Sequence, residues 1–245
     1  YQYAFVPGQK SFLNGGKPTK VYQDNQRWLK NVKQSKWHQQ SATDDLKLAA
    51  IYVPATKPTN KTILVAHGYM GKKEDMARYI HMYHDLGYNV LAPDDRAAGE
   101  SEGDAIGYGW TDRLDYVKWA QKIVATNGQD SQIALFGVSM GGATVMFTAG
   151  EKLPKQVKAV IEDCGYNSIA DELAYQLNDL FGLPKFPLFY TTNWMARVRA
   201  GYNFNDGDTA KSLANSKLPI FMIHGDQDKF VPTKMVYTNY KATHA

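Results

Sequence analysis

The 245-residue chain carries a single cysteine, Cys164. That excludes an internal disulfide framework and any multi-cysteine metal site. It leaves the compartment open, since a secreted chain can simply avoid cysteine. No apolar run approaches the ~18 residues of a membrane span, and no stretch has the make-up of a signal peptide. The chain starts at Tyr1 rather than methionine, so an N-terminal membrane anchor upstream stays open. Basic clusters are short, pairs such as Lys72-Lys73, and 28 basic residues against 24 acidic leave a net charge of only +4. So even a balance is a solvated surface rather than a nucleic-acid stripe, and no nucleic-acid partner is expected. Repeats and low-complexity tracts are absent too. What the chain does have is 44% hydrophobic and 21% charged residues, enough to build one large domain with a substantial core. Oligomeric state cannot be read from these numbers.

Residues 1–20 read as an irregular lead-in, followed by a short helix over Tyr22–Val32 with Trp28 and Leu29 on its apolar side. Trp37–Gln40, Thr43-Asp44-Asp45 and Leu46–Val53 then read as strand, turn, strand, with period-two alternation and an Asp pair at the turn. From there short apolar runs alternate with helical stretches. Strands are expected at Thr62–Ala66, Asn89–Ala92, Gln132–Phe136, Val157–Ile161 and Leu218–Ile223. Helices are expected at Glu74–Leu86, Thr111–Ala125, Gly142–Gly150 and Thr233–Lys241. That rhythm implies an α/β fold: a mostly parallel sheet covered on both faces, with an antiparallel hairpin at its start. Residues 162–217 are too long for an ordinary crossover. Ile169–Phe181 and Leu188–Ala200 look helical and rich in aromatics, so 166–206 is expected to be a helical cap inserted in a single domain, 1–245.

The chemistry sits where Gln132–Phe136 runs into Gly137-Val138-Ser139-Met140-Gly141-Gly142 and a helix follows. Strand, sharp turn and helix form a nucleophile elbow: the glycines avoid collision and the serine hydroxyl is exposed at a helix N-terminus. Ser139 is therefore the candidate nucleophile. Acyl transfer also needs N–H donors facing the tetrahedral oxyanion. One is expected from Met140 and the other from Tyr69, in the loop His67-Gly68-Tyr69-Met70-Gly71 after an earlier strand. His67, beside the glycine turn, is expected to be structural rather than the base. Asp228, in His224-Gly225-Asp226-Gln227-Asp228 past a strand end, is the candidate acid; Asp226 reads as a turn former and Asp163 as a lesser rival. Chain order Ser, Asp, His leaves only His244 as the base. The interval from Asp228 to His244 is short by about ten residues for a helix, a further strand and a histidine loop. Either a stretch before His244 is omitted or the base is missing; omission is the favoured reading. His81 and His84 read as surface groups and His38 as part of the hairpin.

With these motifs in hand, residues 36–245 resemble the α/β-hydrolase superfamily. The segments His67–Met76, Asp94–Gly103 and Gly107–Asp115, with Cys164-Gly165-Tyr166, resemble a narrower group, the cell-surface hydrolases of Gram-positive bacteria. That resemblance implies an N-terminal membrane anchor, an extracytoplasmic catalytic domain and a structural role for Cys164; a cytoplasmic location is the alternative. In such relatives the last histidine has a Gly/Ala-His-Ala context, which Thr243-His244-Ala245 resembles. The expected activity is hydrolysis of small-molecule carboxylic esters through Ser139, His244 and Asp228, without metal or organic cofactor. Two alternatives stand beside it: a peptidase or amidase on the same triad, and a catalytically silent binding protein on a hydrolase scaffold.

Overall fold

A computed structural model describes residues 1–8 and 17–244. Seven strands form one sheet: β1 (Ser35–Gln40), β2 (Lys47–Val53), β3 (Lys61–Ala66), β4 (Asn89–Pro93), β5 (Gln132–Val138), β6 (Val157–Asp163) and β7 (Ile220–Ile223). Their order is β1-β2-β4-β3-β5-β6-β7. β2 is antiparallel to both β1 and β4, and every later pairing is parallel. The hairpin turns where the Asp pair was expected. Asp44 and Asp45 both take left-handed backbone, at φ 68° and 53°, a conformation aspartate tolerates better than most residues.

Helices cover both faces, as a parallel sheet requires. On one side α4 (Asp112–Asn127) buries Tyr116, Trp119 and Ile123 against Leu48, Leu64 and Leu135. On the other, α2 (Lys20–Asn31) and α3 (Ala77–Asp85) bring Leu29, Ile80 and Tyr83 onto Val65 and Phe136. The apolar α5 (Met140–Ala149) lies with all of its residues buried. Its uniform burial explains why no amphipathic period marks it in the sequence.

Between β6 and β7 the chain forms α6 (Ile169–Phe181), α7 (Leu188–Arg199) and the short α8 (Thr209–Ala214); α9 (Lys234–Ala242) follows β7. Ser168 caps α6 by accepting from Asp171 N–H at 3.0 Å, and Gly182 ends it in left-handed backbone at φ 64°. α8 escaped the sequence reading because six residues show little period. Among the described residues no strand follows β7, whose Phe221 and Ile223 are exposed. No helix among them is long and apolar enough to cross a membrane.

Two expectations need correction. The start of the chain is not an irregular lead-in: Gln2–Phe5 forms a helical turn, α1, and Phe5 is fully buried. Residues 9–16 of that stretch lie outside the described residues. His81 and His84 are not plain surface groups. His81 stacks on Trp28 at 4.0 Å and bonds Asn25 Oδ1 at 2.8 Å, and the His84 ring meets the edge of the same indole, so both help join α2 to α3.

Candidate active site

β5 and α5 meet at Ser139, whose backbone is held at φ 58°, ψ −119°. A non-glycine residue at positive φ is strained and persists only where its surroundings over-determine it. Here the neighbours do so. Ser139 N–H donates to Asp163 O at 2.8 Å, tying the elbow to the end of β6. A Cβ on Gly137 would stand 2.0 Å from Gly141 O, and one on Gly141 2.2 Å from Ala66 O. Both positions need glycine because backbone passes backbone in contact. Ser139, the N-cap of α5, makes no side-chain cap hydrogen bond, which leaves its Oγ uncommitted to the helix.

The loop after β3 crosses directly over this elbow. A Cβ on Gly68 would lie 3.7 Å from Ser139 Cβ. Gly68 itself is not in left-handed backbone; that conformation falls to Met70, at φ 57°. Among the described residues, neither Tyr69 N–H nor Met140 N–H takes part in a turn, cap or side-chain hydrogen bond. Both residues line the same cavity as Ser139. Two unengaged amides beside a strained serine are what an oxyanion needs.

His67 shapes that loop from beneath. It is buried, its Nε2 accepts from Asp95 N–H at 3.0 Å, and its Nδ1 lies 2.9 Å from Gly68 O. Accepting at Nε2 assigns the proton to Nδ1, so Nδ1–H donates to the Gly68 carbonyl. With both nitrogens engaged by backbone groups, of Gly68 and Asp95, it has no free nitrogen for proton transfer. The segments 67–76, 94–103 and 107–115 thus serve one structure, a buried ionic network under the loop that follows β3. Lys73 Nζ meets Asp94 Oδ2 at 2.6 Å, and that carboxylate also accepts from Lys73 N–H and Glu100 N–H at 2.8 Å each. Arg96 grips Asp115 through Nε at 2.6 Å and a second nitrogen at 3.1 Å. Removing one member of such a buried pair costs roughly 3–5 kcal/mol, because the other charge stays buried alone. Burial also pushes the Asp95 carboxyl up to about 8, with Asp94 and Asp115 adding to it, against the Tyr116 hydroxyl bond that lowers it.

Asp228 sits past β7. Its Oδ1 accepts from Phe230 N–H at 2.8 Å and Val231 N–H at 2.9 Å, leaving Oδ2 3.7 Å from His224 Nε2. Asp228 thus makes the turn bonds expected of Asp226, which is exposed. His224 Nε2 donates to Val231 O at 2.8 Å, so the ring holds this loop. Asp163, at the end of β6, accepts from Tyr79 O–H at 3.4 Å and has its carboxyl raised mainly by burial. His244 is elsewhere. It is exposed and bonds the Ala214 carbonyl at 2.8 Å, at the C-terminus of α8, rather than Asp228 or Ser139. Cys164, next to the elbow, is half-buried, and burial first, then Asp163, pushes its thiol up to about 12.

The cavity at Ser139 holds about 280 Å³. Its walls are apolar side chains of α6 and α7, with Phe204 and Phe230, and, unforeseen in the sequence, Tyr1, Tyr3, Ala4 and Phe5 of the first turn. One carboxyl enters it. Glu172 is 4% exposed and pushed up to about 7, chiefly by burial. Gln176 Nε2 donates both to Glu172 Oε1 at 2.9 Å and to Phe230 O at 2.7 Å, while Tyr175 O–H donates to Lys229 O at 2.8 Å. Helix α6 is therefore clamped to the loop that carries Asp228. Among the described residues no cluster could hold a metal ion.

A model of the alpha/beta hydrolase fold matches residues 61–196, more than half of the chain. The chain belongs to the alpha/beta hydrolase fold family. Within that family it is similar to the uncharacterized protein YqkD of Bacillus subtilis, 27% identical over 190 residues, and to YfhR of Escherichia coli, 26% over 198. Those alignments cover 78% of this chain but only 62% of either relative. Among solved structures of the fold, the Pyrococcus furiosus esterase Pf2001 superposes with a TM-score of 0.68 at 21% identity, over 97% of this chain and 84% of that one. The acylaminoacyl peptidase of Pyrococcus horikoshii gives 0.62 at 18%, over 89% of this chain and 36% of that one. At such identities these likenesses are of fold.

Proposed function

We propose that the chain is a serine hydrolase of carboxylic esters. The observation that carries this reading is Ser139, strained at φ 58° beneath two unengaged amides at the end of an apolar cavity. Ser139 Oγ attacks the ester carbonyl while a histidine takes its proton. Tyr69 and Met140 N–H groups receive the oxyanion, the alcohol leaves with the proton, and water then resolves the acyl-enzyme. Asp228, with Oδ1 pinned by two amides, orients the imidazole through Oδ2. His244 is the proposed base, and taking that role requires it to leave the Ala214 carbonyl.

The test is hydrolysis of 4-nitrophenyl acetate, butyrate and octanoate by the full-length protein, with Ser139→Ala and His244→Ala as controls. Turnover lost in both variants supports the triad. Turnover lost only with Ser139→Ala supports the nucleophile and removes His244. A second reading, a silent binding scaffold, is favoured by the position of His244, and inactivity towards every ester and amide offered would select it. Cleavage of acyl-amino-acid anilides but not esters would select the amidase reading. The anchored, cell-surface setting implied by segments 67–76, 94–103 and 107–115 is proposed with the activity. Cell fractionation tests it: recovery in the soluble fraction would remove it.

A further inference from the structure

The first turn of the chain lies inside the cavity, and its contacts are specific. The Ala4 carbonyl accepts two phenolic hydroxyls, Tyr69 O–H at 2.8 Å and Tyr108 O–H at 2.9 Å. One residue on, the Phe5 carbonyl accepts from Ile106 N–H at 2.8 Å. The Phe5 ring is fully buried, stacked on Tyr1 at 5.0 Å and on Phe204 at 5.7 Å. Tyr3 meets Phe181 of α6 edge-on at 5.4 Å, and Arg199 of α7 lies over the Tyr1 ring. The segment 1–5 therefore straps the two cap helices to the body. It also touches the oxyanion loop through the side chain of Tyr69, the residue whose amide is offered to the oxyanion. Burial drives that phenol up to about 12, so it stays a neutral donor at working pH.

We propose that the strap Tyr1–Phe5 is the specificity-determining wall of the acyl site, and that the site takes linear apolar acyl chains of medium length. This deepens the ester-hydrolase reading and rests on it. The length follows from volume. An apolar cavity of about 150 Å³ holds the six carbons of benzene, so one of about 280 Å³ seats roughly ten. The wall chemistry suits such a chain, since its polar side chains are few and Glu172, the carboxyl among them, has its charged form disfavoured by burial. Ala4 is the position where size matters: it lines the cavity with a single methyl, directly beside the carbonyl that Tyr69 holds. Tyr69 is thereby both oxyanion donor, through its amide, and a positioning residue for the strap, through its hydroxyl.

The test reads kcat/KM across 4-nitrophenyl esters from acetate to palmitate, with octanoate, decanoate and butyrate binding to the same proteins measured by calorimetry. Each methylene seated in the cavity should raise affinity roughly fourfold. The unaltered protein should peak at eight to ten carbons, with butyrate and palmitate esters at least tenfold lower. Ala4→Leu should move the peak at least two carbons shorter, and Phe5→Ala should broaden it towards longer chains. Tyr69→Phe should lower kcat more than it raises KM, because the oxyanion loop loses its tie to the strap. An unchanged chain-length profile in folded Ala4→Leu protein, checked by circular dichroism, overturns the proposal. Absence of any turnover overturns only the hydrolase reading, because fatty-acid binding still reports on the wall. Octanoate binding at least tenfold tighter than butyrate, and weakened by Ala4→Leu, sustains the strap. Equal binding of the two acids overturns it.

Discussion

Gly141→Ala isolates the contact between elbow and oxyanion loop. The new Cβ would stand 2.2 Å from Ala66 O, 2.6 Å from Ala66 C and 2.7 Å from His67 O. Ordinary contact begins near 3.4 Å, so the end of β3 must recede by about 1 Å. All three atoms are backbone, so no rotamer change relieves the clash. Overpacking of this kind costs roughly 1–3 kcal/mol. Alanine returns part of that, up to ~1 kcal/mol, through better helix propensity. The fold should therefore survive while the geometry does not. Displacing a donor by about 1 Å typically costs on the order of 100-fold in rate, and losing it outright 100- to 1000-fold. We expect kcat to fall by about two orders of magnitude with KM changed by less than about threefold, since the acyl walls are untouched. Gly68→Ala is the matched control: its Cβ meets Val138 O at 3.5 Å and Ser139 Cβ at 3.7 Å, ordinary contacts, so its loss should stay within about tenfold. Steady-state kinetics on both variants, with urea unfolding to confirm folding, decide the matter. A folded Gly141→Ala protein with kcat within about fivefold of the parent would refute the reasoning.

Phe5→Ala should cost about 3–5 kcal/mol in urea unfolding, the range for emptying a fully buried aromatic site, and a loss under ~1 kcal/mol would mean the strap is not docked. Native Cys164, with its thiol near 12, should resist iodoacetamide at about pH 8, where roughly one thiol in ten thousand is ionised, and react only once unfolded; alkylation of native protein at the rate of a free thiol would contradict the burial argument. Thermal stability should fall as pH rises from about 5 to about 9. Asp95 and Glu162 near 8, and Asp112 and Glu172 near 7, are all raised, mainly by burial, above the roughly 4 of an unfolded carboxyl. The folded state thus binds more protons, and the stability these groups give is complete below about pH 4 and lost as pH passes 7 to 8. Scanning calorimetry across that window checks the sign, and a melting temperature that climbs with pH would contradict it.

The parts legible in the sequence are those whose cause is local. Gln132–Phe136 running into Gly137–Gly142 announced strand, elbow and helix, because a short apolar run and obligatory glycines lie side by side in the chain; the strand itself extends to Val138. α6 matches the expected Ile169–Phe181 at both ends, where Ser168 and Gly182 act on adjacent backbone. The strap was not legible. What buries Phe5 is Ile106, Tyr108 and Phe204, about a hundred residues or more away, and nothing near Phe5 signals them. Glu172 lies in the first turn of α6, a common place for an acidic residue, and only the seating of α6 over the Asp228 loop makes it a cavity group. Cys164 needed the fold as well, since its raised thiol comes from burial beside Ser139 and Asp163. His244 was chosen by chain order and by its local Thr-His-Ala context, and neither fixes its distance from Ser139; the ring bonds the Ala214 carbonyl instead.

The most direct test of the central claim is covalent. The protein is treated with a fluorophosphonate and the modified peptide is mapped by mass spectrometry. The account predicts stoichiometric addition to Ser139, lost in Ser139→Ala and slowed at least tenfold in Gly141→Ala. A folded protein that stays unlabelled, or that carries the label on another residue, would contradict it.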